Sequence, residues 1–235
     1  MTTQEIMAEL KAYGDEKIRK IFLNHGIKDP MFGVKIEYLK NIQKKVKKNH
    51  QLALELYATG NADAMYLAGL IAEDEKMTTN DLHTWVQQAL SQNISEYTVP
   101  WVATGSLHGY KLALEWIEST QEHIAAAGWA TLAALVALKP DTALDLPALQ
   151  LLLLRVKNTI HAAGNRVKYA MNNFVICTGS YVTPLTQEAI AIAQQIGAVT
   201  VDMDGTACKV PDAVAYIAKA EARGTLGKKK KTVKC

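Results

Sequence analysis

Apolar residues recur at intervals of three and four along most of this chain, which is the periodicity of amphipathic α-helices. A kinked helical element is expected over 94–103, because Pro100 interrupts it. One short stretch, 199–205, is strand-like. The pattern predicts helices over residues 2–25, 34–46, 51–58, 62–72, 78–90, 107–116, 121–138, 149–157, 165–179, 186–196 and 212–222.

Short helices with brief polar connections and almost no strands are typical of an all-α protein. Paired helices of this length favour an α-solenoid of antiparallel helix pairs. No fixed-period repeat is visible, so the repeats would be degenerate. Residues 1–223 are predicted to form a single repeat domain, and 224–235 a lysine-rich tail that is disordered on its own.

The helix predicted after Gly164 carries the most informative polar face. Asn165 is expected to cap its N-terminus. An apolar stripe begins at Val167 and forms one side of the helix. The side chains that project away from this stripe are Arg166, Tyr169, Asn172 and Asn173. A cation, a phenol and two amides suit a polar, anionic partner. The alternative is a surface helix whose amides cap a neighbouring turn.

The location of charge changes this picture. The net charge is +3, but five lysines lie in the tail, so the rest of the chain carries −2. Seven lysines fall between residues 28 and 48, against Asp29 and Glu37. Lysine clusters on one side of a protein are the footprint of a phosphate-backbone partner, although a charge run is also found on ordinary solvated faces.

Composition excludes several classes. The chain is 49% hydrophobic and 21% charged, as in ordinary folded proteins, and no apolar run reaches eighteen residues. The polar N-terminus is unlike a signal peptide. Three cysteines at unrelated spacings give neither a disulfide framework nor a zinc pattern, and the six histidines show no metal-ligand pairing. A reduced, cytoplasmic protein without metal or cofactor is expected.

Two local motifs carry possible chemistry. The run Val-Asp-Met-Asp-Gly-Thr at 201–206 resembles the phosphotransfer motif of haloacid-dehalogenase-type enzymes, but only 29 residues follow it, too few for the α/β domain that such a site needs. Tyr97 and Trp101 are four residues apart and share one helix face. Such pairs are commonly core, but in an exposed groove they would stack on a base or a sugar.

Several segments together resemble the DNA alkylation repair proteins of the AlkD-like, HEAT-like-repeat group. The similarity runs through Phe-Gly-Val-Lys-Ile-Glu-Tyr-Leu-Lys at 32–40, Leu-Ala-Leu-Glu-Leu at 52–56 and residues 61–72. It continues through Trp85 and 94–101 to 165–179 and 208–213, so most of the chain is covered.

The resemblance implies a curved α-α superhelix of HEAT-like repeats whose basic concave face holds duplex DNA. Active relatives are DNA glycosylases that release N3- and N7-alkylated purines. Their aromatic side chains lie against the deoxyribose, and a carboxylate stabilises the oxocarbenium-like sugar as the base leaves.

This sequence departs from that pattern at the catalytic carboxylate. Alignment on Ile94 puts Tyr97 at the family's tryptophan position, Thr98 at its first aspartate and Trp101 at its catalytic aspartate. Glu96 is the nearest substitute carboxylate, on a different helix face. The resemblance therefore implies the DNA-binding scaffold and leaves glycosylase activity open.

The predicted function is DNA binding by a monomer of this family, with double-stranded DNA, damaged or branched, as partner. The alternative is a non-catalytic scaffold that binds branched DNA or a protein. The predicted groove residues are Tyr97, Trp101, Trp129, Asn172 and Asn173. The predicted phosphate contacts are Lys35, Lys40, Lys44, Arg166, Lys168, Lys228 and Lys229.

Overall fold

The structure is a computed structural model that describes residues 1–234. Those residues form thirteen α-helices and no strand, which confirms the all-α prediction. A π-helical turn, Ile94–Thr98, and four short 3-10 turns complete the regular structure. The helices are α1 Thr3–Ala12, α2 Glu16–Asn24, α3 Ile36–Val46, α4 His50–Ala58, α5 Ala62–Ile71, α6 Thr79–Gln88, α7 Val99–Gly105, α8 Gly109–Trp116, α9 Glu122–Leu138, α10 Leu146–Thr159, α11 Asn165–Tyr181, α12 Thr186–Ile196 and α13 Ala213–Ala222.

The described chain divides into two compact units. The first comprises Met1–Leu112, Met203–Thr206 and Lys234. The second comprises Ala113–Asp202 and Ala207–Val233.

The first unit is built around α5. Its sequence Ala-Asp-Ala-Met-Tyr-Leu-Ala-Gly-Leu-Ile is apolar on nearly every side, and all ten residues are buried. A helix that is apolar all round belongs in a core. Helices α3 and α4 pack against it.

The second unit is built around α9 and α11, which pack along each other. Trp129 of α9 and Phe174 of α11 are both fully buried, with ring centroids 5.4 Å apart. Gly128 allows close packing beside Trp129, because a Cβ there would lie 2.8 Å from the backbone nitrogen of Ile117. The packing of this core thus requires the large Trp129 ring and, next to it, the absence of a side chain at Gly128.

Several predicted helix starts are confirmed. Thr2 and Thr78 both form capping boxes, with Glu5 and Asp81 respectively. Pro100 lies in the first turn of α7, directly after the π-helical turn, as a kinked element would require.

Two predicted elements are wrong. Residues 2–25 form two helices, because the chain breaks at Gly14 and the Asp15 side chain caps α2 by accepting the N–H groups of Lys17 and Ile18. Residues 199–205 contain no strand. Their apolar alternation finds no neighbouring strand to pair with among the described residues, so it produces a loop.

Within residues 1–234, none of the helices combines the length and apolar character needed to cross a membrane.

Candidate nucleic-acid interface

The aromatic pair of the first unit is half exposed. Trp101 is 3% exposed and meets Tyr66 edge-on, with ring centroids 5.1 Å apart. Tyr97 is 49% exposed, and its ring centre lies 6.5 Å from that of Trp101. Gly69 lets α5 approach this cluster, because a Cβ there would lie 2.6 Å from Cγ2 of Thr98. Of Tyr97 and Trp101, Tyr97 is therefore the one that a base or sugar can reach.

Glu96, the candidate carboxylate, lies on the same π-helical turn and is only 7% exposed. It is the one carboxylate residue between 94 and 105. A carboxylate that stabilises a sugar cation must approach C1′ of the substrate. The burial of Glu96 gives that role no support.

The basic face of the first unit lies on α3. Lys35 and Lys44 are exposed, and Lys40 is partly exposed. No ion pair engages these three side chains within residues 1–234. Neighbouring lysines are already occupied: Lys45 pairs with Glu9 at 2.6 Å, and Lys48 donates to the carbonyl of Ala72 at 2.6 Å. The three predicted phosphate contacts on α3 and its N-cap are thus available.

The N-terminus of α11 is organised by a residue that the sequence did not single out. The Oε1 atom of Glu122 accepts the N–H of Arg166 at 3.0 Å. A Cβ on Gly164 would lie 2.6 Å from that oxygen, so a larger residue there would displace the Glu122 carboxylate. A carboxylate at a helix N-terminus is stabilised by the unpaired N–H groups and the helix dipole.

Asn165 does not cap α11, contrary to prediction. Gly164 occupies the cap position, and the Asn165 side chain instead exchanges two hydrogen bonds with the backbone of Asp202, at 2.7 and 2.8 Å. The Asn165 side chain therefore binds the loop at Asp202, although the local sequence predicts that it caps the helix.

Arg166 and Lys168, in the first turn of α11, are both partly exposed. The guanidinium of Arg166 lies 4.5 Å from the ring centre of Tyr169, a cation–π arrangement that holds its position. Both predicted phosphate contacts therefore lie in the first turn of α11, where the Glu122 carboxylate already occupies the helix N-terminus.

Two of the three predicted groove residues of the second unit, Trp129 and Asn172, lie inside it. Trp129 is fully buried, and Asn172 is 4% exposed. The Asn172 amide donates to the carbonyl of Pro211 at 2.8 Å, where it secures the loop before α13. Asn173 is partly exposed, and its Oδ1 atom accepts a weak bond from the thiol of Cys177. Burial raises the pKa of that thiol to about 11.

The lysine tail is ordered, contrary to prediction. Its backbone is held at Gly227 and Lys230, whose N–H groups donate to Ser180 and Ala137 at 2.9 and 2.8 Å. The Lys229 ammonium lies 2.8 Å from Asp141 and donates to the carbonyl of Val136 at 2.8 Å. The carbonyls of Val136 and Ala137 lie in the last turn of α9, where backbone acceptors lack helical partners.

The two predicted phosphate contacts in the tail thus differ. Lys228 is exposed, whereas the Lys229 ammonium is held by α9 and Asp141. Contact between Lys229 and a phosphate would require those bonds to break. No local sequence signal marks this difference, since the partners of Lys229 lie about ninety residues earlier in the chain.

Comparisons with known proteins place the fold. The family described as DNA alkylation repair enzyme matches residues 6–216. The Listeria innocua protein Lin0241 is 35% identical over 229 residues, covering 95% of this chain and 99% of its own. Lmo0209 of Listeria monocytogenes matches to the same extent.

A solved structure agrees over the full length of both chains, with a TM-score of 0.92 and 38% sequence identity. It is described as representing a new family of proteins related to the HEAT-like repeat DNA glycosylases with affinity for branched DNA structures. The predicted HEAT-like-repeat fold is thereby confirmed.

Proposed function

Because the chain belongs to the DNA alkylation repair enzyme family, we propose that it binds double-stranded DNA and prefers branched structures. The observation that carries the proposal is the full-length likeness to a protein with affinity for branched DNA structures. The basic side chains of α3 and of the first turn of α11 are chemically suited to phosphate oxygens.

The first unit contributes lysines and one exposed aromatic ring. Lys35, Lys40 and Lys44 reach phosphates as point charges, and Tyr97 stacks on a base or packs against a deoxyribose. In the second unit Arg166 and Lys168 contact phosphates. Lys228 adds an exposed charge from the tail.

In this proposal, recognition of DNA does not require base excision. The segment that aligns with the catalytic aspartate of active relatives carries Trp101 there, and that side chain is buried. Glu96 is buried on the same segment. In this role the protein binds a DNA structure without cutting or releasing a base. It does so as a monomer in the cytoplasm.

The test is binding to a fluorescent three-way junction and to a linear duplex of equal length, titrated across salt concentration. We expect log affinity to fall linearly with log salt with a slope of roughly −5, the sum of the six proposed phosphate contacts at about −0.9 each. The junction should bind more tightly at every salt concentration. Equal, weak and salt-independent binding of both DNAs would reject the proposal in favour of a protein-binding scaffold.

A further inference from the structure

A cleft of about 320 Å³ opens in the second unit. Its floor is apolar, and its rim is exposed. The floor includes Ile117, Ala125, Trp129, Val167 and Met171, and the rim includes Thr120, Glu122, Thr159 and Gly164. An apolar hollow with a few polar groups at its edge is the usual form of a ligand site.

One buried polar atom at the floor lacks a partner. Trp129 is fully buried, and its Nε1 donates no hydrogen bond within the described residues. Buried donors are nearly always satisfied, and because Trp129 lines the cleft, an acceptor that enters the cleft is a candidate partner for this N–H.

The charges around the cleft disfavour an anion. Arg155 donates to both carboxylate oxygens of Glu118, so its positive charge is paired. Glu122 accepts the backbone N–H of Arg166 at the start of α11 and keeps its negative charge at the rim. With no unpaired cation among its described lining residues and an apolar floor, the cleft suits a flat, neutral group that carries hydrogen-bond acceptors on its edge.

We propose that this cleft receives a single unpaired nucleobase of a bound DNA, and this inference rests on the proposed function. A nucleobase is flat and apolar on its faces, and its edge carries carbonyl and ring-nitrogen acceptors. Val167 lines the cleft and Lys168 follows it, so phosphates bound by Arg166 and Lys168 would place the backbone at the cleft mouth. Unpaired bases occur at branch points, where unstacking costs least.

Arg155 controls entry to the floor. Its guanidinium carbon lies 5.8 Å from the ring centre of Trp129, and its side chain is 34% exposed. Glu118, its partner, is 64% exposed, and exposed ion pairs resist separation weakly. When the base binds, the Arg155 side chain turns outward, and the base edge then reaches the indole N–H.

The experiment compares two otherwise identical three-way junctions, one of which carries a single unpaired 2-aminopurine at its branch point. Anisotropy of an end label reports affinity, and 2-aminopurine fluorescence reports stacking. The proteins are wild type, Trp129→Phe, Ala163→Leu and the matched control Trp85→Phe. Trp129→Phe removes the N–H and keeps a ring, Ala163→Leu fills the cleft, and Trp85 lies in the first unit, stacked on Tyr57.

We expect the unpaired base to tighten binding about tenfold for wild type and for Trp85→Phe. Both cleft variants should lose this gain, while the junction without the base binds all four proteins equally. Circular dichroism and thermal melting verify folding, and Ala163→Leu keeps the test decisive should Trp129→Phe unfold.

Two results would overturn the inference. One is an equal affinity of wild type for both junctions. The other is a preference for the unpaired base that persists in both cleft variants. Failure of the proposed function would give a different result, because wild type would then not bind the junction without the base. That result would also reject the cleft proposal.

Discussion

The ammonium of Lys234 lies 2.6 Å from a carboxylate oxygen of Asp74 inside the first unit. The same ammonium donates to the carbonyl of Gly69 at 2.9 Å, in the last turn of α5. Lys48 donates to Leu70 and Ala72 at that helix end. Two lysines therefore satisfy the carbonyls that a buried helix leaves without helical partners.

Replacing Lys234 should therefore destabilise the protein. Lys234→Met removes the donor and leaves Asp74 and the Gly69 carbonyl without this ammonium, which should lower the free energy of unfolding by about 1–3 kcal/mol. Lys231→Ala is the matched control, because Lys231 is an exposed tail lysine and its loss should change stability by less than about 0.5 kcal/mol. Urea unfolding measures both, and equal effects would show that the Lys234 contacts contribute nothing.

The Lys234 contacts also predict a pH dependence. Burial lowers the pKa of Lys234 from 10.5 to about 8, because the charged form is desolvated more than Asp74 stabilises it. Between these two values the unfolded chain binds more protons than the folded one, so stability contributed by Lys234 rises as pH increases from about 8 to about 10.5. Unfolding curves of wild type and Lys234→Met across that range should diverge with rising pH. Parallel curves would contradict the prediction.

Much of the fold could be predicted from the sequence, because helix periodicity and capping are local. Thr78 and Asp81, three residues apart, mark the start of α6 without reference to the rest of the chain. The site could not be predicted as well. The role of Asn172 depends on Pro211, 39 residues further along the chain, whose carbonyl accepts the Asn172 amide, and no local pattern contains that information.

The two amides of α11 provide a direct test of this difference. Asn172→Ala removes the hydrogen bond from a buried amide to the partly buried carbonyl of Pro211, which should reduce the free energy of unfolding by about 1–3 kcal/mol. Asn173→Ala, at a partly exposed position, should cost about 0.5 kcal/mol or less. The salt slope of DNA binding should be the same for Asn172→Ala as for wild type. A reduced slope in a fully folded Asn172→Ala protein would restore Asn172 as a DNA contact.

The departure at the catalytic position predicts the outcome of an activity assay. Duplex DNA carrying N7-methylguanine should lose no more base with the wild-type protein than it does spontaneously, because the proposed alignment with active relatives puts Trp101 at the position of the catalytic aspartate, and Glu96 is buried. Chromatography of the released base measures this, with a heated sample as positive control. Release that is present in wild type and abolished in Glu96→Gln would instead identify Glu96 as a relocated catalytic carboxylate.

Neighbouring lysines on α3 allow the phosphate contacts to be separated from general charge. Lys44 is exposed and has no ion pair within residues 1–234, whereas Lys45 is held by Glu9. Lys44→Ala should reduce the magnitude of the salt slope of junction binding by about 1, because one phosphate contact is lost. Lys45→Ala removes the same formal charge from the same helix, but its ammonium is already matched by a carboxylate, so the slope should change little. If both substitutions lower the slope equally, α3 attracts DNA only through its overall charge, and Lys44 is not a specific phosphate contact.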